Sequence, residues 1–201
     1  MYTVLALGYE FLSQFLPFLA VYLYLNKKIS WRKSALPILF SFYIIAVYHV
    51  TGVGTLYDLL RFHPGFLLGR VNLIPFSRDI NWTGYLLNIV MFIPFGAFAT
   101  ILCCKRSDFL KVLFSSLGFS LWIEMSQLLC LRGTDVDDLI MNTLGGIFGW
   151  VLYRFAMYFT NRVFSVTEEN AWMYGVYILV LFLGRFFLFH QLGFINLYYG
   201  F

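Results

Sequence analysis

Residues 84–104 read GYLLNIVMFIPFGAFATILCC, 21 residues without a single charge, followed at once by Lys105 and Arg106. A run of about 20 apolar residues is what an α-helix needs to cross a hydrocarbon core of about 30 Å at about 1.5 Å per residue. Working outward from it, five further apolar runs of similar length appear at about Thr3 to Leu25, Ala35 to Tyr57, Phe109 to Cys130, Leu139 to Phe159 and Ala171 to His190. Lipid offers the backbone no hydrogen-bond partners, and none of these runs shows the period-two alternation of a barrel strand, so all six are expected to be helices. The expected fold is an all-α polytopic membrane bundle of about six transmembrane helices, a single membrane domain over residues 1–201.

Composition agrees. The chain is 61% hydrophobic and 12% charged, where a soluble domain has about a quarter of its residues charged. Its mean hydropathy is +0.78. The first run lacks a basic leader and an A-x-A cleavage site, so it reads as a retained span. Net charge is +4, and on a membrane protein the placement of charge matters more than its sum; no nucleic-acid partner is implied. Lys27, Lys28, Arg32, Lys33, Lys105, Arg106, Lys111, Arg154 and Arg162 put nine basic residues on one side, against four on the other, Arg61, Arg70, Arg78 and Arg132. The positive-inside rule makes the first side cytoplasmic and both termini extracytoplasmic.

One connection is unusual. Residues 63–76, HPGFLLGRVNLIPF, contain an apolar stretch too short to cross and broken by Gly and Pro, which reads as a short re-entrant or interfacial segment between helices 2 and 3. With this orientation, polar residues of every span fall in the outer layer: Glu10 and Gln14, Asp58 and Arg61, Asn88, Glu124 and Gln127, Asp137, Asp138 and Asn142, and Arg185. Ionisable groups within spans cost at least about 2.5–3.5 kcal/mol on insertion scales and turn toward partners or water. The expectation is a polar cavity opening outward, with seven of the ten acidic residues in its layer: Glu10, Asp58, Asp79, Glu124, Asp135, Asp137 and Asp138. Glu124 and Gln127, three apart, share a helical face, as do Asp138 and Asn142, four apart. Gly145, Gly146 and Gly149 would let a neighbouring helix pack close. A structural ion pair between Glu124 and Arg185 is the plainer alternative for that carboxylate.

Five pieces in order resemble the VanZ-like family: Asn72-Leu-Ile-Pro-Phe76; Asn88 with Phe92-Ile-Pro-Phe-Gly96; Ile123-Glu124 with Gln127; Arg132-Gly-Thr-Asp135-Val-Asp137-Asp138; and Asn142-Thr-Leu-Gly145-Gly146 with Gly149. The match spans about residues 70–152, outside which Glu10 and Arg185 fall. The resemblance implies a bacterial inner-membrane protein associated with resistance to glycopeptide antibiotics, teicoplanin especially.

The first functional expectation is a non-catalytic protein that binds an amphiphile, a lipoglycopeptide or a lipid-linked cell-wall precursor, besides membrane lipids. Its ligand-binding residues would be Asn72, Asn88, Glu124, Gln127, Arg132, Asp135, Asp137, Asp138 and Asn142. The planar fork of Arg132 suits a phosphate or carboxylate, the stretches 72–76 and 92–95 would receive apolar parts, and Pro94 would kink its helix and open the site. The alternative is an intramembrane enzyme modifying a cell-wall or lipid-linked substrate. Glu124 and Asp138 are then the catalytic candidates, and Asp135, Asp137, Asp138 and Glu124 a set of oxygen ligands for a divalent cation. Against that, Asp135 and Asp137 read more simply as caps of the fifth helix, and no cofactor or resident metal is expected. A transporter reading lacks an internal inverted repeat and polar residues in the cytoplasmic halves.

Other features carry less. His49, near the middle of the second span, reads as a hydrogen-bonded packing residue. His63 and His190 lie toward the outer interface. Cys103, Cys104 and Cys130 form no disulfide framework or metal motif. Trp31, Trp82, Trp172 and Tyr198 suit interfacial anchoring. Asn81-Trp82-Thr83 spells a glycosylation acceptor without meaning in a bacterial chain. Glu168 and Glu169 read as a solvated turn.

Overall fold

Backbone groups that lipid cannot satisfy must be satisfied within each segment, and the computed structural model of the protein is accordingly dominated by helices. It describes residues 2–26, 31–62, 71–77, 81–103, 108–130, 132–160 and 171–189. The elements are α1 (Tyr2–Leu25), α2 (Trp31–Thr51), α3 (Leu56–Phe62), β1 (Val71–Asn72), α4 (Trp82–Cys103), α5 (Phe109–Gln127), β2 (Thr134–Asp135), α6 (Val136–Thr160) and α7 (Ala171–Leu183), which continues as a π-helical turn (Gly184–Leu188). Five segments are long and apolar enough to cross a membrane: Val4–Leu25, Ser34–Leu60, Trp82–Leu102, Phe109–Gln127 and Val136–Thr160. The sixth apolar helix, Trp172–Leu188, is shorter. This is a multi-pass membrane protein.

Several sequence expectations fall outside the described residues: Lys27, Lys28, residues 63–70, Arg78, Asp79, Cys104, Lys105, Arg106, Arg162, Glu168, Glu169, His190 and Tyr198, and the side chains of Trp31, Arg32, Lys33, Arg61, Cys103 and Cys130.

The chain divides into two compact units. The first comprises Met1–Gly65, Leu129–Leu131 and Trp172–Phe201; the second comprises Phe66–Leu128 and Arg132–Ala171.

In the first unit the second span does not run straight to Tyr57. α2 stops at Thr51, where Gly52 takes φ +62°. The Gly52 N–H then bonds the His49 carbonyl and the Val53 N–H the Tyr48 carbonyl, the double bond of a Schellman stop that a left-handed glycine permits. The next helix starts afresh on a capping box. The Thr55 hydroxyl accepts from the Asp58 N–H at 3.2 Å, and the Asp58 carboxylate accepts from the Thr55 N–H at 2.9 Å. Thr55 and Asp58 thus cap α3 together, and His49 stands in the last turn of α2, near the middle of the Ser34–Leu60 span. The unit's core is aromatic, with Phe18 edge-on to Tyr177 at 5.2 Å and Phe40 edge-on to Tyr174 at 5.4 Å. Polar tips of the core tyrosines stay satisfied, since Tyr48 donates to the Ile178 carbonyl and Tyr22 to Ser34.

A charge pair crosses that core. Arg185, buried on the π-helical turn, binds the Glu10 carboxylate through Nη1 and donates Nε–H to the Val53 carbonyl at 2.9 Å. Its guanidinium also lies over the Phe189 ring, 5.2 Å from the centroid. The other Glu10 oxygen meets His49 Nδ1 at 2.9 Å. Arg185 thus pairs with Glu10, and not with Glu124 as in the plainer alternative that the sequence offered for that carboxylate. His49 is hydrogen-bonded as expected, with its side chain 52% exposed.

In the second unit, α4, α5 and α6 pack around Phe92, Phe95, Phe119 and Ile123, with Phe95 and Phe119 stacked at 4.6 Å. Glycines set the approach of α6 to α4. A Cβ on Gly145 would lie 2.8 Å from Phe92 Cβ, and one on Gly149 would lie 2.9 Å from the Ala97 nitrogen. One on Gly96 would strike the Gly146 carbonyl in return. The small-residue pattern thus performs the close packing read from its spacing. α4 runs unbroken through Pro94.

Gly149→Ala is expected to cost about 1–3 kcal/mol by overpacking, whereas Gly175→Ala, where a Cβ meets nothing within 4 Å, is expected to be neutral or stabilising; thermal unfolding in detergent compares them. Glu10→Leu, which leaves Arg185 buried without its carboxylate, is expected to cost about 3–5 kcal/mol, and adding Arg185→Met to recover most of it. Equal losses in the single and double variants would show that the two charges are not coupled.

Candidate functional site

Helix starts need acceptors, because their first N–H groups have no partner within the helix. α6 begins on Val136, ahead of the Leu139 start that hydropathy suggests, because Asp135 supplies one: its Oδ1 accepts the Asp137 N–H at 3.0 Å. That is an N-cap, and the simple reading of Asp135 is correct. Asp137 does something else. It is buried and accepts from the Phe76 N–H at 2.8 Å on one oxygen and the Tyr85 hydroxyl at 2.5 Å on the other.

These bonds gather the stretch between α3 and α4. β1 pairs in parallel with β2, Val71 opposite Thr134 and Asn72 opposite Asp135. The Asn72 amide donates to both Asp135 oxygens at 3.2 Å, while its Oδ1 accepts from the Ile74 N–H and the Ser77 hydroxyl. The chain then turns through Phe76 at φ +54°, a left-handed conformation that costs a bulky residue about 1–3 kcal/mol and persists where surrounding bonds fix it. The Asp137 bond to the Phe76 N–H is one such bond. With the backbone tied inward, the apolar side chains turn outward: Leu73 is 73% exposed, Ile74 68% and Phe76 52%. The described part of the unusual connection is thus a strand and a turn with an apolar rim.

The last turn of α5 joins the same cluster. Glu124, buried there, accepts the Asp135 N–H on Oε2 at 3.2 Å, and its carbonyl accepts from the Thr134 hydroxyl at 3.0 Å. From α4, the Asn88 amide donates to Asp138 Oδ1 at 2.6 Å. One turn further along α6, the Asn142 amide donates to Ser120 at 3.0 Å, and its own Oδ1 is buried without a partner. Asn72, Asn88, Glu124, Asp135, Asp137, Asp138 and Asn142 therefore stand together at one end of the three helices. Gln127 lies buried at the end of α5, and Arg132 is exposed just ahead of β2.

Tyr85, Ser120 and Thr134 also belong to the cluster, and the sequence reading misses them. Periodicity holds a signal for two of them, since Tyr85 is three residues from Asn88 and Ser120 four from Glu124, on the same helical faces. The divalent-cation set of Glu124, Asp135, Asp137 and Asp138 does not form: among the described residues no three His, Cys, Asp or Glu side chains gather as metal ligands. Their oxygens instead receive separate neutral donors.

Asp135→Ala is expected to destabilise the fold by about 0.5–2 kcal/mol through the lost cap and to speed amide exchange at residues 136–138. Unchanged exchange there would mean that the cap is not what starts the helix.

The family model VanZ/LLP1 matches residues 40–159, a stretch that holds the whole cluster and His49 but neither Glu10 nor Arg185. Protein VanZ of Enterococcus faecium is 32% identical over 114 residues, covering 56% of this chain and 69% of that protein. No solved structure matches the chain. The clustered residues thus lie within the matched stretch, and the chain belongs to the VanZ/LLP1 family.

Proposed function

We propose that this protein sits in a bacterial inner membrane with both termini outside and contributes to resistance to lipoglycopeptide antibiotics such as teicoplanin. It does so by holding an amphiphile, the antibiotic or a lipid-linked cell-wall precursor, at its extracytoplasmic face. The observation that carries the reading is the junction of two chemistries at one end of α4, α5 and α6. A hydrogen-bonded cluster of carboxylates and amides adjoins a turn whose Leu73, Ile74 and Phe76 are exposed. An amphiphile needs both, a polar anchor and an apolar surface beside it. Arg132, exposed at the same end, adds a planar guanidinium suited to a phosphate or carboxylate. The nine basic residues that the sequence gathers in the connections assigned to the cytoplasm support the outward orientation, and membership of the VanZ/LLP1 family supports the antibiotic connection.

Arg132→Ala and Glu124→Gln, expressed at wild-type membrane levels, are each expected to lose most of the protection against teicoplanin, read as the minimal inhibitory concentration. Full protection in both variants would overturn the reading. Wall precursors chemically altered only in expressing cells would replace binding by catalysis, with Glu124 and Asp138 as the acid–base pair.

A further inference from the structure

At the polar end of the second unit, some acceptor atoms receive no donor among the described residues. Asp137 is filled, one oxygen by the Phe76 N–H and the other by the Tyr85 hydroxyl. Glu124 is not: Oε2 receives the Asp135 N–H, and Oε1 receives no donor among the described residues. Asp138 receives the Asn88 amide on Oδ1 and, among the described residues, nothing on Oδ2. Asn142 is 2% exposed, spends its amide N–H on Ser120, and keeps a buried Oδ1 with no partner.

These three residues share one place. Asp138 and Asn142 are one helical turn apart on α6, and Glu124 and Ser120 one turn apart on α5. The Asn142–Ser120 hydrogen bond joins the two rows one turn beneath the two carboxylates. The Asp135 N–H on Glu124 and the Asn88 amide on Asp138 leave each of these carboxylates one oxygen without a donor among the described residues. A buried acceptor without a partner, as Asn142 Oδ1 is, is costly to leave unmet. What such a set lacks is a group that carries positive charge and only donors. A primary ammonium meets that description, with three N–H donors and no acceptor. A resident divalent cation is the less apt occupant, since among the described residues no three His, Cys, Asp or Glu side chains gather as its ligands.

We propose that Glu124, Asp138 and Asn142 bind a primary ammonium group carried by the amphiphile. This assignment rests on the amphiphile-binding reading above and narrows its ligand to amine-bearing molecules. A quaternary ammonium, charged but without N–H, should be a poor substitute.

The test uses the full chain in nanodiscs of phosphatidylglycerol, a lipid without amines, at fixed pH. Octylamine hydrochloride is titrated against octyltrimethylammonium chloride and sodium chloride, with the thermal midpoint as readout. Octylamine is expected to raise the midpoint saturably, and the other two to give at most about a tenth of that rise. In Asp138→Asn, whose amide supplies a donor of its own, the half-saturating octylamine concentration is expected to rise at least tenfold. Discrimination among the three probes by the wild type stands whether or not that variant folds, and Glu124→Gln provides a second variant with the same expectation. An equal response to octyltrimethylammonium would reduce the effect to charge and partitioning. An equal response to sodium chloride would assign the acceptors to an inorganic cation. Either result, or no octylamine response at all, overturns the proposal. Lost teicoplanin protection in Arg132→Ala and Glu124→Gln without an octylamine response would remove the ammonium and leave the amphiphile reading. A selective octylamine response with unchanged protection would do the reverse.

Discussion

The first turn of α6 has N–H groups that no residue of its own helix can satisfy, and the Asp135 carboxylate stands where they need an acceptor, with Asp137 beside it in that turn. Only part of their capacity serves the helix. Asp135 caps it with one oxygen and receives the Asn72 amide on both, and Asp137 takes the Phe76 N–H and the Tyr85 hydroxyl. Without these bonds residues 71–77 would have no reason to pair with β2, and Phe76 none to hold a left-handed φ. The apolar rim and its junction with β2 therefore depend on one pair of side chains at the start of a helix.

Hydropathy finds the spans because lipid filters sequence by composition, and composition is local. It misjudges their ends for the same reason. A window that penalises charge pushes the start of α6 past Asp137 and Asp138, whereas helix starts favour acidic residues. The same window runs through Thr51 and Gly52, because it carries no information about φ. The signs are present in another form: a glycine after the last turn, then Thr55 and Asp58 at capping-box spacing. The candidate site is legible only as faces. Spacing puts Glu124 with Gln127 and Asp138 with Asn142. Their cross-element partners depend on chain closures that no short motif encodes. Arg185 is the clearest case, since its carboxylate lies 175 positions away in Glu10 and not in the nearer Glu124.

The two units treat buried charge differently. In the first, Arg185 is surrounded by compensation: the Glu10 carboxylate, the Val53 carbonyl and the face of Phe189, with His49 on the remaining Glu10 oxygen. Such a pair can offset its desolvation, and removing either partner is what costs most. In the second, Glu124, Asp138 and Asn142 keep acceptor atoms that no described residue fills. A closed pair is complete as a structural element; an open set of acceptors is not. That difference, rather than the number of polar groups, separates the internal brace of the first unit from the proposed ammonium site of the second.

An open acceptor set must be held rigid to be selective, because a mobile one would collapse onto the nearest donor. The glycines supply that rigidity. With Gly145 and Gly149 of α6 pressed on the α4 backbone, and Gly146 against Ser116 of α5, neither neighbouring helix can move closer, and moving apart would forfeit dispersion contacts along several turns. Asn88 therefore reaches Asp138, and Asn142 reaches Ser120, at fixed offsets. The helices are close enough to gather the carboxylates and too tightly packed to neutralise them from within. The unfilled acceptors are thus held in place by the packing, and the proposed site would bind its ligand without first having to rearrange.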